Sequence, residues 1–211
     1  MRPMDPERPA RKKRIAVLAS GRGSNFQAVI DAIAAGDIPA VCVGLITDNP
    51  EAYAIERARD AGIPVTVVEY ARFTTKAAYE EVLFAAMQNC RADLFVLAGY
   101  MRILGRAIVH EFSGRMMNIH PALLPAFSGL HAQRQAIEYG VKVAGCTVHL
   151  VDEGMDTGPI VIQRCVPILP GDDESTLADR ILVEEHRAFP LAVKLFCEDR
   201  LEVIGRRVRI R

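Results

Sequence analysis

The first 120 residues of this 211-residue chain alternate short apolar runs with segments of helical periodicity. Five runs have the length of strands buried on both faces: 14–19, 40–46, 64–68, 94–98 and 116–119. The segments between them predict helices at 24–35, 52–61, 74–89 and 103–111. Because strands that alternate with helices pair in parallel through right-handed crossovers, this order predicts an open Rossmann-like α/β sheet with helices on both faces.

The pattern changes after residue 120. The remaining predicted elements are a helix at 130–139, strands at 144–151 and 160–166, a long helix at 174–198 interrupted at Pro190, and a terminal hairpin of 201–204 and 207–210. The two longer strands flank the turn-rich sequence DEGMDTGP and are expected to form an antiparallel C-terminal extension of the mostly parallel sheet. The chain has no internal repeat or interior linker, so residues 14–211 are predicted to form one domain.

Charge and apolar run length exclude several classes of protein. Lys plus Arg and Asp plus Glu both number 26, so the chain lacks the basic excess typical of nucleic-acid binders. Its longest apolar stretches fall far short of the roughly 20 residues that span a bilayer. Residues 1–14 hold six basic and two acidic side chains, net +4, and three prolines. We therefore predict a disordered basic tail at 1–13, and neither a nucleic-acid nor a membrane partner.

The five cysteines and five histidines show neither a disulfide framework nor a metal centre. The cysteine number is odd, no CxxC motif occurs, and the histidines lack HxxxH spacing. A reducing, cytoplasmic location and a site without metal are therefore expected.

A glycine-rich loop, Ser20-Gly21-Arg22-Gly23-Ser24-Asn25, follows the first predicted strand and opens the first predicted helix. A helix N-terminus presents unpaired backbone N–H groups and the positive end of the helix dipole, which together bind phosphate. The loop lacks the third glycine of the dinucleotide fingerprint and the GK[ST] of a P-loop, so it favours a phosphate on a smaller ligand. The alternative is a plain turn with Ser24 as the helix N-cap.

The sequence Asn118-Ile119-His120-Pro121 ends the fifth predicted strand. Ligands of open α/β sheets bind beyond the carboxyl ends of the strands, and alternation projects Asn118 and His120 to the same side. Such a pair can stabilise a developing oxyanion. The acidic loop Asp152–Asp156 can bring a carboxylate to His120, which favours the imidazolium form. Taken singly, these features are also explained by a satisfied polar residue and a solvated turn.

Four other polar residues belong to no motif. On local sequence alone, Glu185 and Lys76 are typical of solvated helix surfaces. His131 and His149 are typical of structural or surface positions. Local sequence therefore assigns none of the four to a site.

Taken in order, the motifs resemble those of the folate-dependent glycinamide ribonucleotide formyltransferases of purine biosynthesis. The resemblance covers about 14–201 and rests on IAVLASGRGSN, LAGYMRIL, MNIHPALLPAFSGLHAQRQAIEYG and GCTVHLVDEGMDTGPIVIQ. It implies transfer of the formyl group of 10-formyltetrahydrofolate, the cosubstrate, to the amine of 5'-phosphoribosylglycinamide. It implies neither a metal nor a covalent intermediate.

The resemblance also implies roles for individual residues. The implied catalytic residues are Asn118, His120 and Asp156. The implied ribonucleotide site consists of Gly23, Ser24, Asn25 and Glu185. The implied folate site consists of Lys76, Met101, Arg102, Ile103, Leu104, Asn118, Asp152, Glu153, Gly154 and Met155. The chain departs from the family at Lys76, where arginine is common, and at Ala122, where serine is common.

Three other functions are weighed against this one. Formyltetrahydrofolate hydrolase shares the Asn-His-Asp set but is expected to carry an added N-terminal domain, whereas only the short tail precedes the first predicted strand here. Methionyl-tRNA formyltransferase is expected to carry a further C-terminal domain. A non-catalytic module that binds a phosphate ligand would not need all three catalytic residues. The sequence leaves the oligomeric state open.

Overall fold

Nine strands form one sheet in the computed structural model, which describes residues 11–211. The strands are β1 (Lys13–Leu18), β2 (Ala40–Thr47), β3 (Val65–Val67), β4 (Leu94–Leu97), β5 (Met116–His120), β6 (Val143–Leu150), β7 (Ile160–Pro167), β8 (Leu201–Ile204) and β9 (Arg207–Ile210). The helices are α1 (Ser24–Ala34), α2 (Ala54–Asp60), α3 (Lys76–Cys90), α4 (Arg106–Glu111), α5 (Ala132–Tyr139) and α6 (Glu174–Cys197), with a short 3-10 helix at Tyr70–Arg72.

The strand order is β3-β2-β1-β4-β5-β6-β7-β9-β8. Strands β1 to β5 pair in parallel, whereas β6 pairs antiparallel with β5 and β7 antiparallel with β6. The predicted α/β fold, a mostly parallel sheet with an antiparallel extension, is therefore confirmed. The order reverses between β1 and β4, and ligands of such sheets bind at this switch point, beyond the carboxyl ends of the strands.

Each face of the sheet is covered by its own apolar core. In β1, Ile15 and Val17 pack into the core that contains α1, α2 and α6, while Ala16 and Leu18 pack into the core that contains α3 and α4. All four side chains are buried. Burial on both faces explains why this strand is a continuous apolar run rather than an alternating one.

The predicted interruption at Pro190 is wrong, because α6 continues through the proline. A proline inside a helix removes one hydrogen bond and costs about 3 kcal/mol. The helix packs against α1, β6 and β7, and buries Ile181, Phe189 and Val193 on both sides of the proline. Burying each such side chain contributes roughly 1.5–3 kcal/mol. Tertiary packing therefore outweighs the local cost.

The first ten residues of the predicted tail at 1–13 lie outside the described residues. Within the described part, Lys13 begins β1, and Arg11 forms a 2.7 Å ion pair with Asp93. All five cysteines are free thiols. From residue 11 onward, no helix is long and apolar enough to cross a membrane.

Candidate active site

The loop after β1 ends at Gly23, which is the N-cap of α1. Its φ of 69° is left-handed, and an added Cβ would lie 2.8 Å from the Cβ of Ala54, so only glycine fits here. Ser24 is the first residue of the helix, so the alternative in which it is the N-cap is wrong. Among the described residues no side chain caps this helix, and its first backbone N–H groups therefore lie open to an anion.

A buried carboxylate, Glu185 of α6, adjoins this helix N-terminus. Asn25 Nδ2 donates a 2.7 Å hydrogen bond to Glu185 Oε2, and both residues are buried. Burial raises the pKa of Glu185, although the hydrogen bond from Asn25 opposes the rise. The interpretation of Glu185 as a solvated helix residue is wrong, because α6 turns this side chain towards α1. Its remaining lone pairs can accept hydrogen bonds from ligand hydroxyl groups.

A cavity of about 410 Å³ lies beside the ends of β4 and β5 and the loop after β6. Its lining contains nine of the ten residues that the resemblance implied for folate: Met101, Arg102, Ile103, Leu104, Asn118, Asp152, Glu153, Gly154 and Met155. The side chains of Met101, Ile103 and Met155 form an exposed apolar rim. This volume and lining fit a flat heterocyclic head group such as a pterin.

His120 lies in the same cavity, next to Asn118, and each of its ring nitrogens faces a protein oxygen. The Nε2 atom lies 2.8 Å from the carbonyl oxygen of Phe127, which can only accept, so Nε2 carries a hydrogen. The Nδ1 atom lies 3.3 Å from Asp156 Oδ2. The Nδ1 atom, which faces Asp156, is therefore the ring nitrogen left at the cavity, and it carries a hydrogen only when the ring is doubly protonated.

Asp156 is fixed by three groups around the cavity. Its Oδ2 accepts a 2.9 Å hydrogen bond from the backbone N–H of Gly129. Burial on its own would raise the pKa of Asp156, but His149, the Gly129 N–H and the charge of His120 outweigh it and hold the pKa below its ordinary value. The group is therefore a carboxylate at neutral pH.

His149 is a site residue that sequence reasoning missed. It lies directly opposite Asn118 in the β5–β6 register, and Asn118 Nδ2 lies 3.2 Å from its Nε2. Its Nδ1 donates to the carbonyl oxygen of Leu150 at 3.0 Å. Its Nε2 also lies 3.7 Å from Asp156 Oδ1, and it accepts from Asn118 when it carries no hydrogen. This contact holds one N–H of the Asn118 amide and leaves the second for the cavity. Only the strand register brings the two residues together.

The formyl transferase family profile matches residues 13–193. The chain belongs to this family. It is 47% identical over 198 residues to the phosphoribosylglycinamide formyltransferase of Mycobacterium tuberculosis H37Rv, covering 94% of this chain and 91% of that one. It is 49% identical over 187 residues to the trifunctional purine biosynthetic protein adenosine-3 of Drosophila melanogaster, covering 88% of this chain and 14% of that protein's length. Glycinamide ribonucleotide transformylase 1 from Symbiobacterium toebii has a similar structure, with a TM-score of 0.93 and 48% identity, covering 96% of this chain and 95% of that one.

The two departures from the family pattern lie outside the catalytic contacts of this formyl transferase. Lys76 does not line the cavity; it forms a 3.3 Å ion pair with Glu80 within α3. Ala122 is buried, and its carbonyl oxygen accepts a 2.6 Å hydrogen bond from Thr147 Oγ1. Within residues 11–211, no group of three or more His, Cys, Asp or Glu side chains is placed to hold a metal ion.

Proposed function

We propose that this formyl transferase moves the formyl group of 10-formyltetrahydrofolate to the amine of 5'-phosphoribosylglycinamide, as a step of purine biosynthesis. The products are formylglycinamide ribonucleotide and tetrahydrofolate. The observation that carries the proposal is that the hydrogen bond from the Met101 N–H to Ser20 Oγ joins two sites: an uncapped helix N-terminus with a buried carboxylate, and a cavity that holds Asn118, His120 and Asp156. Relatives named for this reaction, similar over more than nine tenths of both chains, support it. Small molecules are the only partners proposed.

The ribonucleotide is held at both of its polar ends. Its phosphate binds the N–H groups at Gly23–Asn25, where the helix dipole favours negative charge. Its ribose hydroxyls donate to Glu185, which satisfies a carboxylate that has a single side-chain donor in the described protein. These contacts direct the amine towards the cavity.

The catalytic residues respond to the charge that develops during transfer. As the amine attacks the formyl carbon, the formyl oxygen becomes negative and accepts hydrogen bonds from the second Asn118 N–H and from His120 Nδ1–H. Asp156 balances the imidazolium. The amine loses a proton and the departing folate nitrogen gains one, and Asp156 assists this exchange through water. Because the two reactants are held side by side, the reaction gains the rate advantage of an intramolecular step.

Hydrolysis of formyl-folate is the competing function, since it needs the same three catalytic residues. Water has no anchor equivalent to the phosphate loop and Glu185, so we expect rapid consumption of formyl-folate only when the ribonucleotide is present. The test is folate turnover with both substrates and with each omitted. Glu185→Ala is the matched variant: it should slow transfer without creating fast hydrolysis. Equal turnover with and without the ribonucleotide would identify a hydrolase instead.

A further inference from the structure

The two proposed substrate sites are built on separate segments, one after β1 and one after β4. A third segment, Asp48-Asn49 after β2, contacts both. The strand β1 lies between β2 and β4 in the sheet, so these two residues reach across the switch point. No motif singled them out, and neither lines the folate cavity.

Asp48 holds the segment that follows β4. The Nε of Arg102 donates a 2.6 Å hydrogen bond to Asp48 Oδ2, and the guanidinium lies 4.1 Å from the centre of the Tyr70 ring. The ion pair fixes one edge of the guanidinium, and the ring fixes its plane. The backbone of Arg102 lies between Met101 and Ile103, which line the folate cavity.

Asn49 holds the loop that follows β1. Its Nδ2 donates a 3.1 Å hydrogen bond to the carbonyl oxygen of Ser20, and its Oδ1 accepts from the backbone N–H of Glu51 at 3.0 Å. Ser20 Oγ in turn accepts a 2.9 Å hydrogen bond from the backbone N–H of Met101. The Asn49–Ser20 and Met101–Ser20 contacts, together with the Asp48–Arg102 pair, close a ring that joins the ribonucleotide loop to the folate segment.

The pair between Asp48 and Arg102 is half buried. The side chain of Arg102 is 42% exposed, whereas that of Asp48 is 2% exposed. Asp48 is buried, and its Oδ1 has no hydrogen-bond partner among the described residues, which costs free energy. What the contacts provide is a fixed orientation of Arg102 relative to Ser20.

We propose that Asp48 and Asn49 are positioning residues that fix the distance between the formyl donor and the amine acceptor. The inference rests on the proposed function, because it needs one substrate on each of the two segments. A displacement of about 1 Å between reacting groups can lower the rate about 10²-fold. Loosening the ring should therefore lower kcat at saturating concentrations of both substrates, while each substrate alone still binds.

The test compares Asp48→Asn with Asp172→Asn. Asp172 is a matched control, since its carboxylate side chain is 6% exposed and forms a 2.6 Å pair with an arginine, Arg180, but it does not line the cavity. We expect Asp48→Asn to lower kcat about tenfold or more, with the Kd of the ribonucleotide changed less than about twofold. Asp172→Asn should change kcat less than about twofold. Combining Asp48→Asn with Arg102→Gln should add little to the loss, because both break the same contact.

Amide hydrogen exchange tests the ring without any turnover. The Met101 N–H, which donates to Ser20 Oγ, should exchange faster in Asp48→Asn, in Asn49→Ala and in Ser20→Ala than in the wild type or Asp172→Asn. A wild-type enzyme that transfers formyl, combined with unchanged kcat and unchanged exchange in Asp48→Asn, would overturn the inference. A wild-type enzyme that does not transfer formyl would instead overturn the proposed function. If Asp48→Asn does not fold, the kcat and the Met101 amide exchange rate of Ser20→Ala test the inference in the same way.

Discussion

Two carboxylates, the buried Glu185 and the half-buried Asp156, belong to the proposed site, and their surroundings shift their pKa values in opposite directions. Burial raises the pKa of Glu185, which has Asn25 as its hydrogen-bond donor. Burial also acts on Asp156, but His149, the Gly129 N–H and His120 outweigh it and lower the pKa. The proposed ribonucleotide side therefore has a single side-chain donor within the protein, whereas the proposed catalytic side has several groups that balance its charge.

This difference separates binding from catalysis. Glu185 needs ligand hydroxyls to stabilise its charge. Its protonation state and the strength of its hydrogen bonds therefore depend on whether the substrate is bound. Its raised pKa favours folding below the pKa of the unfolded chain, and that contribution is lost as the pH rises through the folded pKa. Asp156 is a carboxylate before any substrate arrives. Its lowered pKa favours folding above the unfolded pKa, and that contribution is lost as the pH falls through the folded value.

The largest expected effect is on the catalytic side. Asp156→Asn keeps the shape but removes the charge that balances His120, so kcat should fall about 10²-fold or more. The KM of the ribonucleotide should change less than about twofold, because Asp156 does not contact the phosphate loop. Steady-state kinetics with both substrates varied provide the measurement. A rise in the ribonucleotide KM with unchanged kcat would contradict the proposed separation of binding from catalysis.

The next effect concerns the glycine-rich loop before α1, the proposed phosphate site, where two glycines differ in the space around them. An added Cβ at Gly23 meets α2 at a left-handed φ, whereas one at Gly21 has nothing within 4 Å. Gly23→Ala should therefore lower the free energy of unfolding by about 1–3 kcal/mol and raise the ribonucleotide KM more than tenfold. Gly21→Ala is the control and should do neither. Thermal melts and ribonucleotide KM values of both variants provide the measurement. Equal effects of the two substitutions would mean that the loop geometry is irrelevant.

A smaller effect is expected for Glu185→Gln. The amide still accepts from Asn25 but loses the charged hydrogen bonds to the ribose, so the ribonucleotide KM should rise about tenfold. The free enzyme should also become more stable than the wild type as the pH rises above the ordinary range of glutamate, because the burial of a charge is avoided. Melting temperatures across pH measure this. A variant destabilised at every pH would show that Glu185 is structural.

The smallest effect is expected for Lys76→Ala. Lys76 forms an exposed ion pair with Glu80 and does not line the cavity, so the KM of formyl-folate should change less than about twofold. Arg102→Gln provides the contrast, since Arg102 lines the cavity. A large rise in the folate KM of the Lys76 variant would restore the role that the family resemblance implied.

The elements of the fold were predictable because their signals are local. Alternation along β5 places Asn118 and His120 on one side, and this needs no knowledge of the rest of the chain. The boundaries of helices and strands were harder to predict where residues of the proposed site interrupt the helical or strand pattern. The helix predicted to begin at Ile103 begins at Arg106, because Ile103 and Leu104 line the cavity instead.

Contacts between distant segments had no such signal. His149 reaches Asn118 only through the register of an antiparallel pair, and a shift of one residue would turn it to the other face. Glu185 is buried because α6 packs along α1, which no local pattern reports. Asp48 and Asn49 acquire their partners only because the strand order puts β1 between β2 and β4.

The sequence by itself determined the strand and helix order, the glycine-rich turn before α1 and the family, because each rests on residues close together in the chain. Tertiary structure decided which charges are balanced. The pKa of a carboxylate depends on burial and on donors within a few ångströms, and for Glu185 and Asp156 these include Asn25 and Gly129, which lie in other segments of the chain. From the sequence alone, Glu185 and Asp156 were therefore equally plausible as surface groups. The fold gives Glu185 a single amide donor and places two imidazoles beside Asp156.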